Sequence, residues 1–244
     1  MIRHSLRVAA TLVAVVTASA GAQSPTEIVD RYNKAVDPQN RLASVQGMKS
    51  SMTMDIPDMG MSMTMNLVAA LPNKVVIESE LPGMGTLKQG FDGSTAWASD
   101  PMQGPRLLQG LEAASMAEGS ALASMKRTPE LFTAMEAAGT AGEGDDAATC
   151  VKFTWKSGRE TVDCFSNASG LLVLTRTTQE SPMGSVEVEA KLSDYRNVGG
   201  FMIAHRTESS MMGMRMVMVT TSVEFGPQPA ALFELPAEIK ALRP

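Results

Sequence analysis

Methionine sulfur is the most abundant chemistry in this sequence. Met is found 20 times against two Trp, two Tyr and two Cys. Six of these residues fall in one stretch, at 52, 54, 59, 61, 63 and 65, with Thr53, Asp55, Ser62 and Thr64 between them. Near the other end Met212, Met214, Met216 and Met218 repeat the alternation against Arg215, Val217 and Val219. Period-two alternation places one residue type on one face of a strand. Thioethers on such a face can do three things. They can fill an ordinary core, since Met adapts to irregular gaps. They can line a cavity for a lipid or acyl chain. They can hold Cu(I), which soft sulfur ligands select. The metal reading lacks partners: His205 is the one His beyond the N-terminal stretch, and sulfurs two residues apart on one strand lie along a line. No metal site is therefore assigned from sequence, and all three readings stay open at this point.

Other reactive residues are few. Cys150 and Cys164 form an even set in a chain read below as exported, which favours a disulfide. Two hairpin registers compete for them. A three-residue loop Lys156-Ser157-Gly158, with Gly left-handed, sets Cys150 opposite Cys164. The apolar pattern instead pairs Phe153 with Val162 and separates the sulfurs onto opposite faces. A structural disulfide is the expectation. His205 in a strand reads as structural. No nucleophile elbow, zinc-binding helix, P-loop or dinucleotide fingerprint is present, so no catalytic residue and no enzyme activity are expected.

The elements that must position these residues can be read along the chain. Arg3 and Arg7, the apolar run Val8 to Ala18 and the small residues Ala20-Gly21-Ala22 form a secretory signal over 1–22. The protein is then expected in the periplasm or outside the cell, as one domain over 23–244. The net charge is −5 and becomes more negative once Arg3 and Arg7 are removed. That balance argues against nucleic acid and against electrostatic adhesion to anionic lipid.

Ser24-Pro25-Thr26-Glu27 is a capping box with Pro in the first turn, opening a short helix to Val36. The Met stretch follows as a hairpin turning at Pro57-Asp58. Further strands run over 74–81, 86–91 and 95–98, the last two joined by Asp92-Gly93. From Arg106 the period becomes helical. Thr128-Pro129-Glu130 opens a second helix of this region, with Leu131, Phe132, Met135 and Ala138 on one face. Gly139 to Ala147 reads as a mobile loop. Strands resume at Thr149 and continue to Phe225. About ten strands with helices at the start and middle imply an α+β fold, a long curved antiparallel sheet covered by helices.

Several segments together resemble the bacterial outer-membrane lipoprotein carrier and sorting family, the LolA/LolB type. Leu42 to Met54 resembles its opening strand. The run from Gly90 to Pro101 resembles its strand-turn-strand, with Asp92-Gly93, Trp97 and Asp100-Pro101. Phe165 to Leu172, Asp194 to Met202 and Phe233-Glu234-Leu235-Pro236 are similar to its later turn and closing segments. The resemblance implies an incomplete β-barrel packed on helices, with a hydrophobic cavity between, no catalysis and no cofactor. It also implies a lipid or acylated protein as cargo, and an envelope donor or acceptor protein as partner. The expected form is a monomer. The cavity is then expected to be lined by Met52, Met54, Met61, Met63, Met65, Trp97, Met212, Met214, Met216 and Met218, with the methionines facing the helix-covered side.

Overall fold

The computed structural model of the chain describes residues 23–243 apart from 121, 182, 183 and 212. The expected leader over 1–22 lies outside the described residues.

The first element is α1 (Pro25–Val36), and it begins where the sequence signals it. Glu27 N–H donates to the Ser24 hydroxyl, and the Glu27 carboxylate accepts from Ser24 N–H at 2.8 Å. Two otherwise unpaired donors at the helix start are thereby satisfied. Its apolar face, Ile28, Val29, Tyr32 and Val36, is buried. Asp37 closes the helix and accepts from the backbone N–H groups of Arg41 and Leu42.

Thirteen antiparallel strands make one sheet. The first six are β1 (Gly47–Ile56), β2 (Met61–Ala70), β3 (Lys74–Leu81), β4 (Gly85–Phe91), β5 (Ala96–Asp100) and β6 (Gly104–Leu107). Helix α2 (Gly110–Ser120) follows. Then come β7 (Phe132–Ala141), β8 (Ala148–Trp155), β9 (Glu160–Ser166), β10 (Leu172–Ser181), β11 (Gly184–Val198), β12 (Phe201–Met211) and β13 (Met214–Phe225), and a short α3 (Ala237–Lys240). In space the order is β6-β5-β4-β3-β2-β1-β13-β12-β11-β10-β9-β8-β7. Each half is a meander in which chain neighbours pair. The halves meet along one seam, β1 against β13, and the sheet stays open because β6 and β7 end it.

Two packed clusters fill the space between sheet and helices. Under α1 lie Val151, Phe153, Trp155, Phe165 and Leu172. Under α2 and the turn after it lie Val75, Phe91, Ala96, Ala98, Leu122 and Phe201. Phe153 and Phe165 are fully buried, each stabilising the fold by about 1.5–3 kcal/mol. The opposite face carries two small clusters: the two Cys with Ala148 and Leu174, and Trp97 with Leu235 and Ile239. Gly90 permits the second. A Cβ there would lie 2.7 Å from the Val75 carbonyl and 3.0 Å from the Trp97 ring.

Three expectations from sequence are corrected. The helix placed at Thr128 is a single 3-10 turn, Pro129–Leu131, followed by strand β7. Its apolar spacing is produced by a bulge: the register with β8 shifts between Phe132 and Ala134, so Phe132 and Met135 both pack on the cluster under α1 although an odd number of residues separates them. The stretch read as a loop from Gly139 continues β7 to Ala141 and then makes a 3-10 turn, Gly144–Asp146. Arg106 belongs to β6, and α2 starts only at Gly110. For the cysteines the loop chemistry prevails over the apolar pattern. Gly158 is left-handed at φ 86°, Cys150 pairs with Cys164, and Phe153 sits opposite Thr161. The two sulfurs are bonded.

Candidate functional site: a methionine shelf across the sheet seam

The strand registers place the methionines on one surface. In β1 and β2, Met52 faces Met65 and Met54 faces Met63. Directly opposed residues of an antiparallel pair share a face. That face is the helix-covered one, because Met48 of β1 and Leu67 and Ala69 of β2 pack into the cluster under α2. Across the seam Met54 also faces Met218. Met216 and Met214 follow at period two, and Met214 faces Met211 of β12.

A bulge makes this alignment possible. The β1–β13 register shifts at Ser51/Met52, where Thr221 is the extra residue on β13. Phe225 and Met218 are an odd number of residues apart and would otherwise point to opposite sides. With the bulge both sit on the helix-covered face, Phe225 against Phe201 and Met218 beside Met54. The Thr221 hydroxyl donates to the Ser51 carbonyl at 2.9 Å within this irregularity. The tip of the hairpin is tied down as well, since Arg215 N–H donates to the Asp58 carboxylate.

The methionines lie beyond the packed clusters. Helix α1 rests on β7, β8 and β12, and α2 on β3, β4 and β5. Met52 is buried, at 9 % exposure, while Met54, Met61, Met63, Met65, Met216 and Met218 are half-buried and Met214 reaches 36 %. The result is an uncapped thioether shelf that continues the helix-covered face outward. The sequence expectation placed these residues around a cavity between sheet and helices. Two packed clusters lie in that space, and two surface depressions lie elsewhere. One runs along β2–β4 and touches the shelf only through Met63, and the other lies near Phe233.

One expected member is placed differently. Trp97 is on the opposite face, buried under Leu235 and Ile239, because its neighbours Ala96 and Ala98 take the helix-covered side. Met212 lies outside the described residues, and Met211 is the strand residue that meets Met214. Met211 was missed because it breaks the even-numbered alternation, being on the other arm of the β12–β13 turn.

The methionine side chains themselves do not titrate. Among the described residues no group of three His, Cys, Asp or Glu side chains could hold a metal ion. His205 is buried, with Nδ1 at 2.9 Å from the Ile203 carbonyl oxygen. The strongest buried polar arrangement lies under α1 and is structural. Arg127 Nε donates to Asp163 at 2.8 Å, and the other oxygen of Asp163 accepts from the Thr175 hydroxyl. The guanidinium also lies near the rings of Tyr32 and Trp155. Burial pulls its pKa down, but the Asp163 carboxylate beside it more than restores it, so the net direction is upward. Tyr195, whose hydroxyl donates to the Leu172 carbonyl, is raised chiefly by burial. The backbone of Arg127 exchanges two hydrogen bonds with the Asn33 side chain. This knot pins the connection between α2 and β7 to α1 and to the sheet.

Comparison with known proteins agrees with this architecture. No family model matches the chain, and no curated protein matches it in sequence. Solved structures do match in fold. A LolA superfamily protein from Nitrosomonas europaea superposes with a TM-score of 0.59 at 12 % identity, over 88 % of this chain and 99 % of that one. A DUF1329 family protein from Desulfovibrio piger gives 0.59 at 10 % identity, over 91 % and 100 %. An outer membrane lipoprotein-sorting protein domain from Vibrio parahaemolyticus gives 0.52 at 10 % identity, over 82 % and 89 %. The resemblance read from short sequence segments is therefore matched by the whole fold: an open, curved antiparallel sheet of thirteen strands with helices on one face, as in the LolA-type proteins.

Proposed function

We propose that this protein is a non-catalytic envelope carrier that holds an apolar guest, a lipid or the acyl chains of a lipoprotein, on the methionine shelf. The observation that carries the reading is the gathering of Met54, Met61, Met63, Met65, Met216 and Met218 from three adjacent strands onto one half-exposed face. A thioether surface suits a variable apolar guest, because Met is flexible and polarizable and repacks at little cost. Each methylene removed from water there is worth about 0.8 kcal/mol. A chain segment lying along the shelf therefore binds usefully while remaining releasable. The fold shared with lipoprotein-sorting domains supports the same reading, as does the secretory pattern read in the sequence over 1–22. The mature protein acts as a single domain over 23–244, as a monomer in the periplasm or outside the cell. It takes cargo from, or gives it to, a second envelope protein.

The test uses the mature protein and a fluorescent fatty acid. Saturable binding is expected, displaced by unlabelled long-chain acyl lipids. In the variant Met54→Gln/Met63→Gln, which makes the shelf polar and leaves the packed clusters intact, affinity should fall at least tenfold. Absence of binding to any long-chain probe would refute the proposal, and so would unchanged affinity in the double variant.

A further inference from the structure

The seam also brings thioethers together in a way that one strand cannot. Met54 on β1 has Met63 directly opposite on β2 and Met218 directly opposite on β13. Three methionines thus form a row across three adjacent strands, and strands pair about 4.8 Å apart. Directly opposed Cβ atoms lie about 4.5–5.5 Å from each other. Met has three rotatable bonds beyond its Cα, so the two outer side chains can lean toward the central one. Met52 and Met65 form the next pair along the seam. The row is half-buried, so an ion can reach it from solvent. The objection raised by spacing along a single strand, that the sulfurs form a line, does not apply to a row across strands.

We propose that Met54, Met63 and Met218 form a three-thioether site for a monovalent soft cation, Cu(I). The chemistry of the donor set selects the ion. Thioethers are soft, neutral ligands, which suit Cu(I) and offer little to harder divalent ions. Such a donor set needs no carboxylate, imidazole or thiolate. A neutral donor set leaves the bound ion with a single positive charge, and the negative net charge of the chain favours its approach. This site is independent of the acyl-chain reading, although both use the same face. One depends on sulfur as a ligand and the other on apolar surface.

Replacing Met by Leu separates the two, because it removes sulfur and keeps apolar volume. The mature protein is titrated anaerobically with Cu(I) in competition with ferrozine, and separately with Zn(II). The wild-type chain should withdraw one equivalent of Cu(I) from the chelator, with a sulfur-dominated X-ray absorption signature, and should take up no Zn(II). The variant Met54→Leu/Met63→Leu/Met218→Leu should lose at least tenfold in Cu(I) affinity while its far-ultraviolet circular dichroism and urea midpoint stay close to those of the wild type. If that variant folds poorly, Met54→Leu alone carries the same expectation, since Met54 is the central ligand. Failure of the wild-type chain to compete for Cu(I), or unchanged Cu(I) affinity in the Leu variants, overturns the proposal. Neither result bears on acyl binding, which is read in its own assay.

Discussion

Replacing Asp163 with Ala removes one partner of the ion pair beneath α1 and leaves the Arg127 guanidinium without its carboxylate. Asp163 is 1 % exposed at its side chain and Arg127 13 %, with 2.8 Å between Nε and Oδ2. Breaking a pair buried to this degree costs about 3–5 kcal/mol, because an unpaired charge is left in a medium of low dielectric. Two features place this case near the lower bound. The guanidinium keeps its bond to the Ser124 carbonyl, and the aromatic faces of Tyr32 and Trp155 remain beside it. The Thr175 hydroxyl loses its acceptor as well, adding about 1 kcal/mol. The expected loss is about 3–4 kcal/mol. It can be measured by urea unfolding followed through Trp fluorescence, to which Trp155 contributes from within the affected cluster. The pair need not be net stabilising against an apolar replacement. The double variant Arg127→Met/Asp163→Leu should therefore lose much less than the sum of its single variants, with a coupling energy of at least about 2 kcal/mol. A loss below about 1 kcal/mol in Asp163→Ala, or additive single effects, would refute the assignment of this pair as the pin between α1, β9 and the α2–β7 connection.

Reduction of the disulfide is expected to weaken the fold without unmaking it. The bridged residues are 14 apart in sequence, and a loop of that size stabilises by about 3 kcal/mol through the unfolded chain. Adding reductant, or making Cys150→Ser/Cys164→Ser, should lower the urea midpoint and leave the far-ultraviolet circular dichroism unchanged. Stability should also fall on acidification through Asp37. Burial opposes its charged form, but the Arg41 and Leu42 N–H groups and Lys126 outweigh that, and its pKa lies below the ordinary 3.8. A depressed carboxylate contributes stability that is complete above its unfolded value and is lost as pH falls through the folded one. The variant Asp37→Asn should accordingly be less stable at neutral pH and show a flatter midpoint-against-pH curve below about pH 4.

Much of this architecture could be read from local chemistry. The capping box at Ser24–Glu27 and the Asp92-Gly93 turn are short-range signals, and both are realised. The two Met strands declared themselves through period two. What escaped reading depends on backbone irregularity or on distant pairing. The bulge in β7 gave Phe132 and Met135 a helix-like spacing, and Thr128-Pro129-Glu130 supplied a helix-like start. The apolar pattern of β8 and β9 suggested the wrong register because Val162 faces away from the α1 cluster and packs beside the disulfide. Trp97 could not be assigned a face from its neighbours, since Ala on either side is compatible with both. The extra residue at Thr221 leaves no mark in composition, yet it decides that Met218 stands beside Met54.

The seam between β1 and β13 has a consequence for the order of events in folding. Each meander can assemble from contacts between chain neighbours, which form quickly. The β1–β13 ladder joins residues as far apart as Met54 and Met218, and such non-local pairings carry the larger loop-closure cost. The shelf straddles that ladder. Neither half of the chain contains it, and a nascent or truncated chain offers only half of the surface. Under the proposed carrier function, guest binding is thereby coupled to completed assembly, so premature capture of apolar cargo by an unfinished sheet is disfavoured. A bound guest, by bridging the two meanders, would in turn slow their separation.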